Sequence, residues 1–430
     1  MRSYCRYYWL IIIPIFSFTS IYAQREPSRM VAGIPVNYSE DSTGDYTLPD
    51  PLLMQNGKRV TDKNDWLNKR RPAIVALYEQ YQFGKTPDKP AVLRFDVLEK
   101  ATTVMNGKAT RRQVTVYFTP DTLHKMDLLI YLPAKVSKPA PLLLHVAFSA
   151  NCNVVNDTAL KETYVWTREG KKVPAKTVIY PNKLNIEPFI DEGIGVATVY
   201  YGDIEPDFNG GIEYGIRGVY LQPGQTKPAP GEWGAISAWA WGLSRAMDYF
   251  ETDKQVDAKR VALFGVSRLG KTVLWTGAHD ARFAMVIANC SGEGGAALSR
   301  RNYGETIKHL SHPTRYAYQF CSNYQLYGDS VNRFPIDGHM LISLIAPRPL
   351  LLQTGDVDYW SDPKGEFVAA VSATPVYHLF GKKGMEDAQM PAAGTPVLNT
   401  LGYSMHSGGH GTVPSDWSIA LDFMKKHLLK

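Results

Sequence analysis

Apolar positions along this chain change their spacing twice. Between about residues 65 and 82, Trp66, Ile74, Leu77, Tyr78 and Tyr81 recur close to one helical turn apart, so a helix is expected there, started or kinked by Pro72. Three runs rich in β-branched and aromatic residues follow at 92–97, 113–118 and 128–132, separated by Asn-Gly and Pro-Asp turn signals. They predict antiparallel strands at one edge of a sheet. From Pro141 onward, short continuously apolar segments alternate with helical ones, at 142–147, 195–200, 260–264, 284–288, 349–353 and 375–380. Strands of that kind belong to a parallel sheet covered on both faces. The stretch 232–250 carries Trp233, Ile236, Trp239, Leu243, Met247 and Phe250 on one side, the burial period of a helix, so its tryptophans read as core packing. A terminal helix is expected over 416–429. Residues 24–60, rich in Pro, Asp, Asn and Gly, read as an extended arm lying over the domain. The segments 205–231 and 296–345 have weak periodicity and read as insertions or caps over the sheet ends. With no repeats and no shift of composition, residues 24–430 are expected to form one α/β domain.

The first 23 residues stand apart. Met1-Arg2-Ser3-Tyr4-Cys5-Arg6 is basic, an apolar run extends from Tyr7 to Phe18, and Ile21-Tyr22-Ala23 ends in a small residue. That is the grammar of a cleavable export signal, with cleavage expected near Ala23. Its apolar core is shorter than the ~20 residues that span a bilayer, and no second such run follows. A periplasmic or secreted protein without a membrane span is expected. At 44% apolar and 20% charged residues the 430-residue chain has the composition of a globular protein. Removing the signal takes away two arginines, lowering the formal charge from +6 to +4, an excess too mild and too spread to point to nucleic acid. Three cysteines remain, Cys152, Cys290 and Cys321, enough for one disulfide and one free thiol. They form no paired-thiol motif and have no histidine at a metal-site distance, so no metal is expected.

The informative stretch is Val261-Ala262-Leu263-Phe264-Gly265-Val266-Ser267-Arg268-Leu269-Gly270-Lys271, a buried strand entering a tight turn and then a helix. Such a turn pushes a serine hydroxyl out of the sheet and aims helix amides at a developing oxyanion. The usual elbow is G-x-S-x-G; here the second glycine is displaced by one, to Gly270. Taken alone, the elbow favours a nucleophile at Ser267 over the alternative of a simple helix cap. A nucleophilic serine needs a base, and the base an orienting carboxylate. Downstream, Thr354-Gly355-Asp356-Val357-Asp358-Tyr359-Trp360 places acids at the end of a strand, where α/β sheets assemble sites, although either acid could instead cap a turn. Met405-His406-Ser407-Gly408-Gly409-His410-Gly411 reads as a loop that supplies histidine, with His410 preferred over His406. The order serine, acid, histidine is that of an α/β-hydrolase, a three-layer sandwich around a mostly parallel sheet with an antiparallel N-terminal edge.

Gly265-Val266-Ser267-Arg268-Leu269-Gly270-Lys271 resembles the G-[C/V]-S-R-x-G-K signature of the glucuronoyl esterases, carbohydrate esterase family fifteen, which also accounts for the displaced glycine. The resemblance extends to the helix 233–250, Ser291-Gly292-Glu293-Gly294-Gly295, Asp358-Tyr359-Trp360, Asp362-Pro363-Lys364-Gly365 and Gly409-His410, and so covers most of the mature chain. It implies hydrolysis of esters of the glucuronic acid carboxyl group, including those joining xylan side chains to lignin alcohols. It further implies Ser267 as nucleophile, His410 as base, Arg268 at the oxyanion, and Lys271, Glu305 and Trp360 around the sugar. Where some members carry a glutamate as triad acid, this chain has Cys290, so Asp358 is expected in that role, with Glu293 and Asp356 as alternatives. The expected partner is glucuronoxylan or another glucuronate-ester carbohydrate, with no cofactor, and the chain is expected to be a monomer. A carbohydrate acetyl esterase and a catalytically silent carbohydrate-binding homologue are the competing readings.

Overall fold

The computed structural model describes residues 28–135, 137–180 and 183–429; the expected export signal lies outside them. Nine strands form the main sheet: β1 (Arg94–Val104), β2 (Ala109–Tyr117), β3 (Lys125–Pro133), β4 (Ala140–Ala147), β5 (Gly195–Tyr200), β6 (Val256–Val266), β7 (Met285–Asn289), β8 (Leu350–Gly355) and β9 (Leu401–His406). Their spatial order is β9-β8-β7-β6-β4-β5-β3-β2-β1. The strands β4 to β9 are mutually parallel, and β1, β2 and β3 form the antiparallel edge, with β3 antiparallel to β5. Both parts were expected from the sequence.

Alternation along the strands divides the core in two. Leu142, Leu144, Val146, Val261 and Leu263 face one side, packed with α2 (Ala235–Phe250), α3 (Arg268–His279) and α4 (Pro363–His378), while Leu143, Ala262, Phe264, Ile287 and Leu351 face α5 (Pro414–Leu428). Helix, sheet and helix make the three layers. The helix expected at 65–82 is present as one uninterrupted run, Lys63–Asp65, a π-helical turn at Trp66–Arg70 and α1 (Arg71–Tyr81), and Pro72 directly follows the π turn, the wider turn that takes up its missing N–H. Among the described residues no helix is long and apolar enough to cross a membrane.

One expected strand is not a strand. Residues 375–380 finish α4 and its exit turn, and the last parallel strand is β9. The apolar residues Val376 and Tyr377 continue the helical recurrence Phe367, Ala370, Ala373, and a run this short fits either period. Conversely Leu401-Gly402-Tyr403-Ser404-Met405-His406 is wholly buried but contains Gly, Ser and His, which hide it as a strand. Met405 and His406, expected in a loop, are therefore its last two residues.

The insertion 205–231 is anchored by a buried ion pair. Arg217 donates through Nε to Glu205 Oε1 at 2.7 Å and through a second nitrogen to the same oxygen, and it also bonds the Trp233 carbonyl at 3.0 Å. Glu205 is fully enclosed. Glu205→Ala leaves the Arg217 cation buried without its partner and should cost about 3–5 kcal/mol, read as a lowered urea midpoint; Glu205→Gln, which keeps an acceptor, should lose less.

Candidate active site

Ser267 occupies the turn between β6 and α3, with φ 59° and ψ −127°. Its N–H donates to the Asn289 carbonyl at 2.8 Å, tying the turn to the end of β7. The glycines on either side are required by crowding. A Cβ on Gly265 would lie 2.3 Å from the Leu269 carbonyl oxygen, and one on Gly270 would lie 2.9 Å from that of Asn289 and 3.1 Å from Ser291 Cβ. The displaced second glycine is thus the point where α3 passes over the end of β7.

His410 follows β9, and its Nδ1 lies 2.8 Å from Asp358 Oδ2 and 3.2 Å from Ser361 Oγ. Asp358 is nearly closed off, with 4% of its side chain exposed, while the imidazole is 43% exposed and open to the cavity at Ser267. Burial pushes the Asp358 carboxyl up, but the hydrogen bond and charge of His410, with bonds from Ser361 and the Cys290 thiol, hold it below its ordinary 3.8. The other candidate acids sit elsewhere. Asp356 accepts the Gly408 N–H at 2.8 Å and so fixes the histidine loop rather than the ring. Glu293 is buried against Ser299 Oγ at 2.7 Å and the Tyr324 hydroxyl at 2.8 Å. His406 is buried beneath the loop, its Nδ1 3.0 Å from Asp416 Oδ2. Cys290 stands at φ 47° directly after β7, with Sγ 3.7 Å from the Gly411 carbonyl. The thiol, the Asp358 carboxylate and the His410 ring place donor atoms within 4.8 Å of one another, the geometry of a group that could hold a metal ion. Sequence spacing does not reveal that cluster, because three separate strand ends assemble it. The three cysteines of the described residues are all free.

Two cavities meet at Ser267, Arg268 and His410. The smaller, 190 Å³, has polar and charged walls that include Lys271, Glu305, Arg315 and Trp360. Lys271 is buried, and burial pushes its ammonium below the ordinary value against the pull of Glu305. Burial raises the Glu305 carboxyl, opposed by the charges of Lys271, Arg315, Arg268 and His410. Arg315 donates to Glu305 Oε1 at 2.8 Å and lies 5.1 Å from the Trp360 ring centroid. The larger cavity, 550 Å³, is walled by aromatic residues, Phe148, Trp166, Tyr180 and Trp417 among them. Arg268 is held between the cavities by Asp207, which also accepts from Tyr201 at 2.9 Å and from Tyr318 and Gln319 at 2.7 Å each. Asp207 and Arg315 escaped the sequence reading because both lie in aperiodic insertions; the one available signal was that a buried arginine beside the serine needs a counter-charge.

The chain matches the family model described as glucuronyl esterase, fungi, over residues 152–381, more than half its length. A carbohydrate esterase from an unknown prokaryotic organism is 44% identical over 405 residues, covering 91% of this chain and 92% of that one. A 4-O-methyl-glucuronoyl methylesterase of Podospora anserina is 28% identical over 89% of this chain and 68% of its own. Among solved structures, a glucuronoyl esterase from Solibacter usitatus is 46% identical with a TM-score of 0.85, over 90% of this chain and 99% of that one. A promiscuous esterase of carbohydrate esterase family fifteen from a marine bacterial metagenome is 43% identical with a TM-score of 0.82, covering 91% and 100%.

Behind the Ser291-Gly292 turn, Glu366 is fully buried and accepts from Ser291 Oγ at 2.8 Å and the Gly292 N–H at 2.6 Å, while its Oε2 has no hydrogen-bond partner among the described residues. Burial raises its carboxyl to about 8, as it does that of Glu293. The folded state therefore binds protons that the unfolded chain releases above its ordinary 4.5, and stability from this source is full below 4.5 and is lost as pH rises toward 8. Glu366→Gln, which keeps the shape and cannot ionise, should flatten the decline of the thermal midpoint between pH 5 and 8; an unchanged slope would contradict the assignment.

Proposed function

Starting from the membership of this chain in the glucuronoyl esterase family, we propose that it hydrolyses esters of the glucuronic acid carboxyl group, (4-O-methyl-)glucuronate included, by a serine mechanism. The observation that carries the reading is the position of Ser267, Arg268 and His410 at the junction of two unlike cavities. The polar cavity suits the sugar acid: Lys271 donates to ring hydroxyls, Glu305 accepts from them, and Trp360 covers a face. The aromatic cavity suits the alcohol portion, as an aryl alcohol of lignin would require.

In this mechanism Ser267 gives its proton to His410 Nε2 and attacks the C6 carbonyl. Asp358 holds the ring by its Nδ1–H and stabilises the imidazolium, and the protonated ring then returns the proton to the leaving alcohol. Water activated by the same ring hydrolyses the glucuronoyl-serine. The negative tetrahedral oxygen faces the amides at the start of α3 and the Arg268 guanidinium, which Asp207 holds in place. These groups complete the reaction without a cofactor. The N-terminal 23 residues act as an export signal, leaving a monomeric catalytic domain over 24–430 that works outside the cytoplasm on glucuronoxylan or a related polymer.

The decisive assay sets benzyl glucuronate beside an acetylated sugar, with Ser267→Ala as control. Preferential glucuronate cleavage that vanishes in the variant is expected. Acetyl cleavage alone would replace the substrate assignment, a comparison made pointed by the relative described as promiscuous, and no serine-dependent cleavage of either would indicate a silent binding homologue. Asp358→Asn should lower kcat on the order of ten-thousandfold, whereas Glu293→Gln should leave it near wild type. Arg268→Ala should lower kcat roughly a hundredfold or more; a raised KM with unchanged kcat would remove Arg268 from the oxyanion.

A further inference from the structure

The wall of the polar cavity that carries Glu305 and Trp360 is made from segment 301–305, which is neither helix nor strand, and segment 359–364, a single tight turn that runs into the start of α4. They bond to one another through the Glu305 N–H and the Trp360 carbonyl at 2.9 Å. Gly304, at φ 61°, passes so close that a Cβ there would lie 2.5 Å from the carbonyl oxygens of both Tyr359 and Trp360. Segment 301–305 has no helix or strand of its own to fix such an approach, and in 359–364 only the three-residue turn Tyr359–Ser361 precedes the start of α4 at Pro363.

The missing support comes from the N-terminal arm. After a two-residue-per-strand hairpin, Met30–Val31 with Ile34–Pro35, the arm runs along segment 301–305 and touches it at nearly every residue. The Asn37 carbonyl accepts the Gly304 N–H at 2.8 Å, and the Asn37 side chain donates to the Asn302 carbonyl at 2.6 Å while accepting the Ser39 N–H at 2.8 Å. Tyr38 meets Tyr303 edge-on at 6.1 Å. Glu40 accepts from Arg301 through one oxygen and from Lys364 through the other, the latter at 2.7 Å. Arg301 continues to Asp362 at 2.9 Å, and Asp362, in a left-handed conformation at φ 53°, caps α4 through the Gly365 N–H at 2.9 Å. The arm therefore binds both segments at once, 301–305 through Asn37 and Glu40 and 359–364 through Lys364 and the Arg301–Asp362 pair.

We propose that Asn37 and Glu40 are positioning residues for the acyl pocket: the arm straps segment 301–305 against 359–364 and so sets where Glu305 and Trp360 meet a bound sugar acid. The inference rests on the assignment of that cavity to the glucuronoyl group. The triad does not depend on the strap in the same way. Ser267 is tied to β7, the His410 loop to β8 through Asp356 and Gly408, and the Asp358 N–H to the Gly355 carbonyl at 3.2 Å, so the strapped segment reaches the triad through Ser361, whose Oγ lies 3.2 Å from His410 Nδ1. A small acyl group that never reaches Glu305 should be less sensitive to the arm.

The test uses the whole mature chain with Asn37→Ala, Glu40→Gln and both together. For benzyl glucuronate the double variant should raise KM roughly tenfold with kcat little changed, the signature of lost ground-state and transition-state binding alike. Hydrolysis of p-nitrophenyl acetate, which senses the segment only through Ser361, should change several-fold less than the glucuronate KM. Hydrogen exchange, which needs no substrate, should quicken at the amides of Gly304 and Glu305 and across 359–364 while the sheet keeps its protection. An unchanged glucuronate KM overturns the proposal, and so does a parallel fall in both esters, which would mark a general loss of structure. If the wild-type chain does not cleave benzyl glucuronate, the assigned activity fails, and the exchange experiment alone decides the strap: unaltered protection at Gly304 and Glu305 in the variants overturns it.

Discussion

The turn at Ser267 holds a residue with a side chain at φ 59° and ψ −127°, a conformation of the kind that costs roughly 1–3 kcal/mol and persists only where its surroundings dictate it. Those surroundings are the centre of the sheet. β6 lies between β4 and β7, its last residue is in register with Asn289, and the Asn289 carbonyl takes the Ser267 N–H. α3 can leave the turn at that angle only because Gly265 and Gly270 let it pass within contact of its own strand and of the next one. The packed sheet thus enforces the elbow, and the elbow fixes the point on which both cavities converge.

Around that point the insertions supply charge where the sheet cannot. Arg268 and Lys271 lie on one face of α3, three residues apart, and each is taken from water into a wall of the site. Such cations need anionic partners, and these come from elsewhere in sequence: Asp207 from the segment after β5, and Glu305, which also takes Arg315, from the long connection between β7 and β8. The smaller cavity gathers three cations, Arg268, Lys271 and Arg315, around Glu305. A wall so arranged can offer donors to hydroxyls and carbonyl oxygens in several directions and one acceptor in return, which matches a polyhydroxylated acyl group better than a plain acetyl group.

This division explains what the sequence disclosed. The sheet was legible because period and continuous apolarity report burial directly: 195–200 coincides with β5, and the serine turn stood out between a buried strand and a patterned helix. The fold's one misplaced strand arose where the signal is degenerate, since Pro375-Val376-Tyr377-His378 is apolar enough for a strand yet belongs to α4, and β9 spends three of its six positions on Gly, Ser and His. Ser267 was legible because a local turn and helix place it, whereas the roles of Arg268 and Lys271 on that helix came through resemblance. Glu305 and Trp360 came through resemblance alone. Asp207, Arg315 and the arm contacts of Asn37 and Glu40 were not legible, because each is set by tertiary contacts between segments without a period.

The choice among acids shows how strand order resolves an ambiguity that spacing could not. β7, β8 and β9 are parallel neighbours, Asn289 beside Gln353 and Gly355 beside His406, and adjacent strands lie about 4.8 Å apart. The residues that follow them must therefore emerge side by side. The Cys290 N–H bonds the Gln353 carbonyl at 2.7 Å, and the Val357 N–H bonds the Gly408 carbonyl at 3.1 Å, so all three ends are locked to one another. Any of them could present a group to the imidazole, which is why Cys290 and Asp358 reach the same ring from different strands. Chemistry then separates their parts. Burial and the nearby Asp358 charge push the Cys290 thiol well above its ordinary value, so it stays protonated. A protonated thiol is a weak donor; it can satisfy a lone pair of Asp358 or the Gly411 carbonyl, but it cannot accept the Nδ1 proton as a carboxylate does. The carboxylate, held ionised below its ordinary range, is the group fitted to hold the ring.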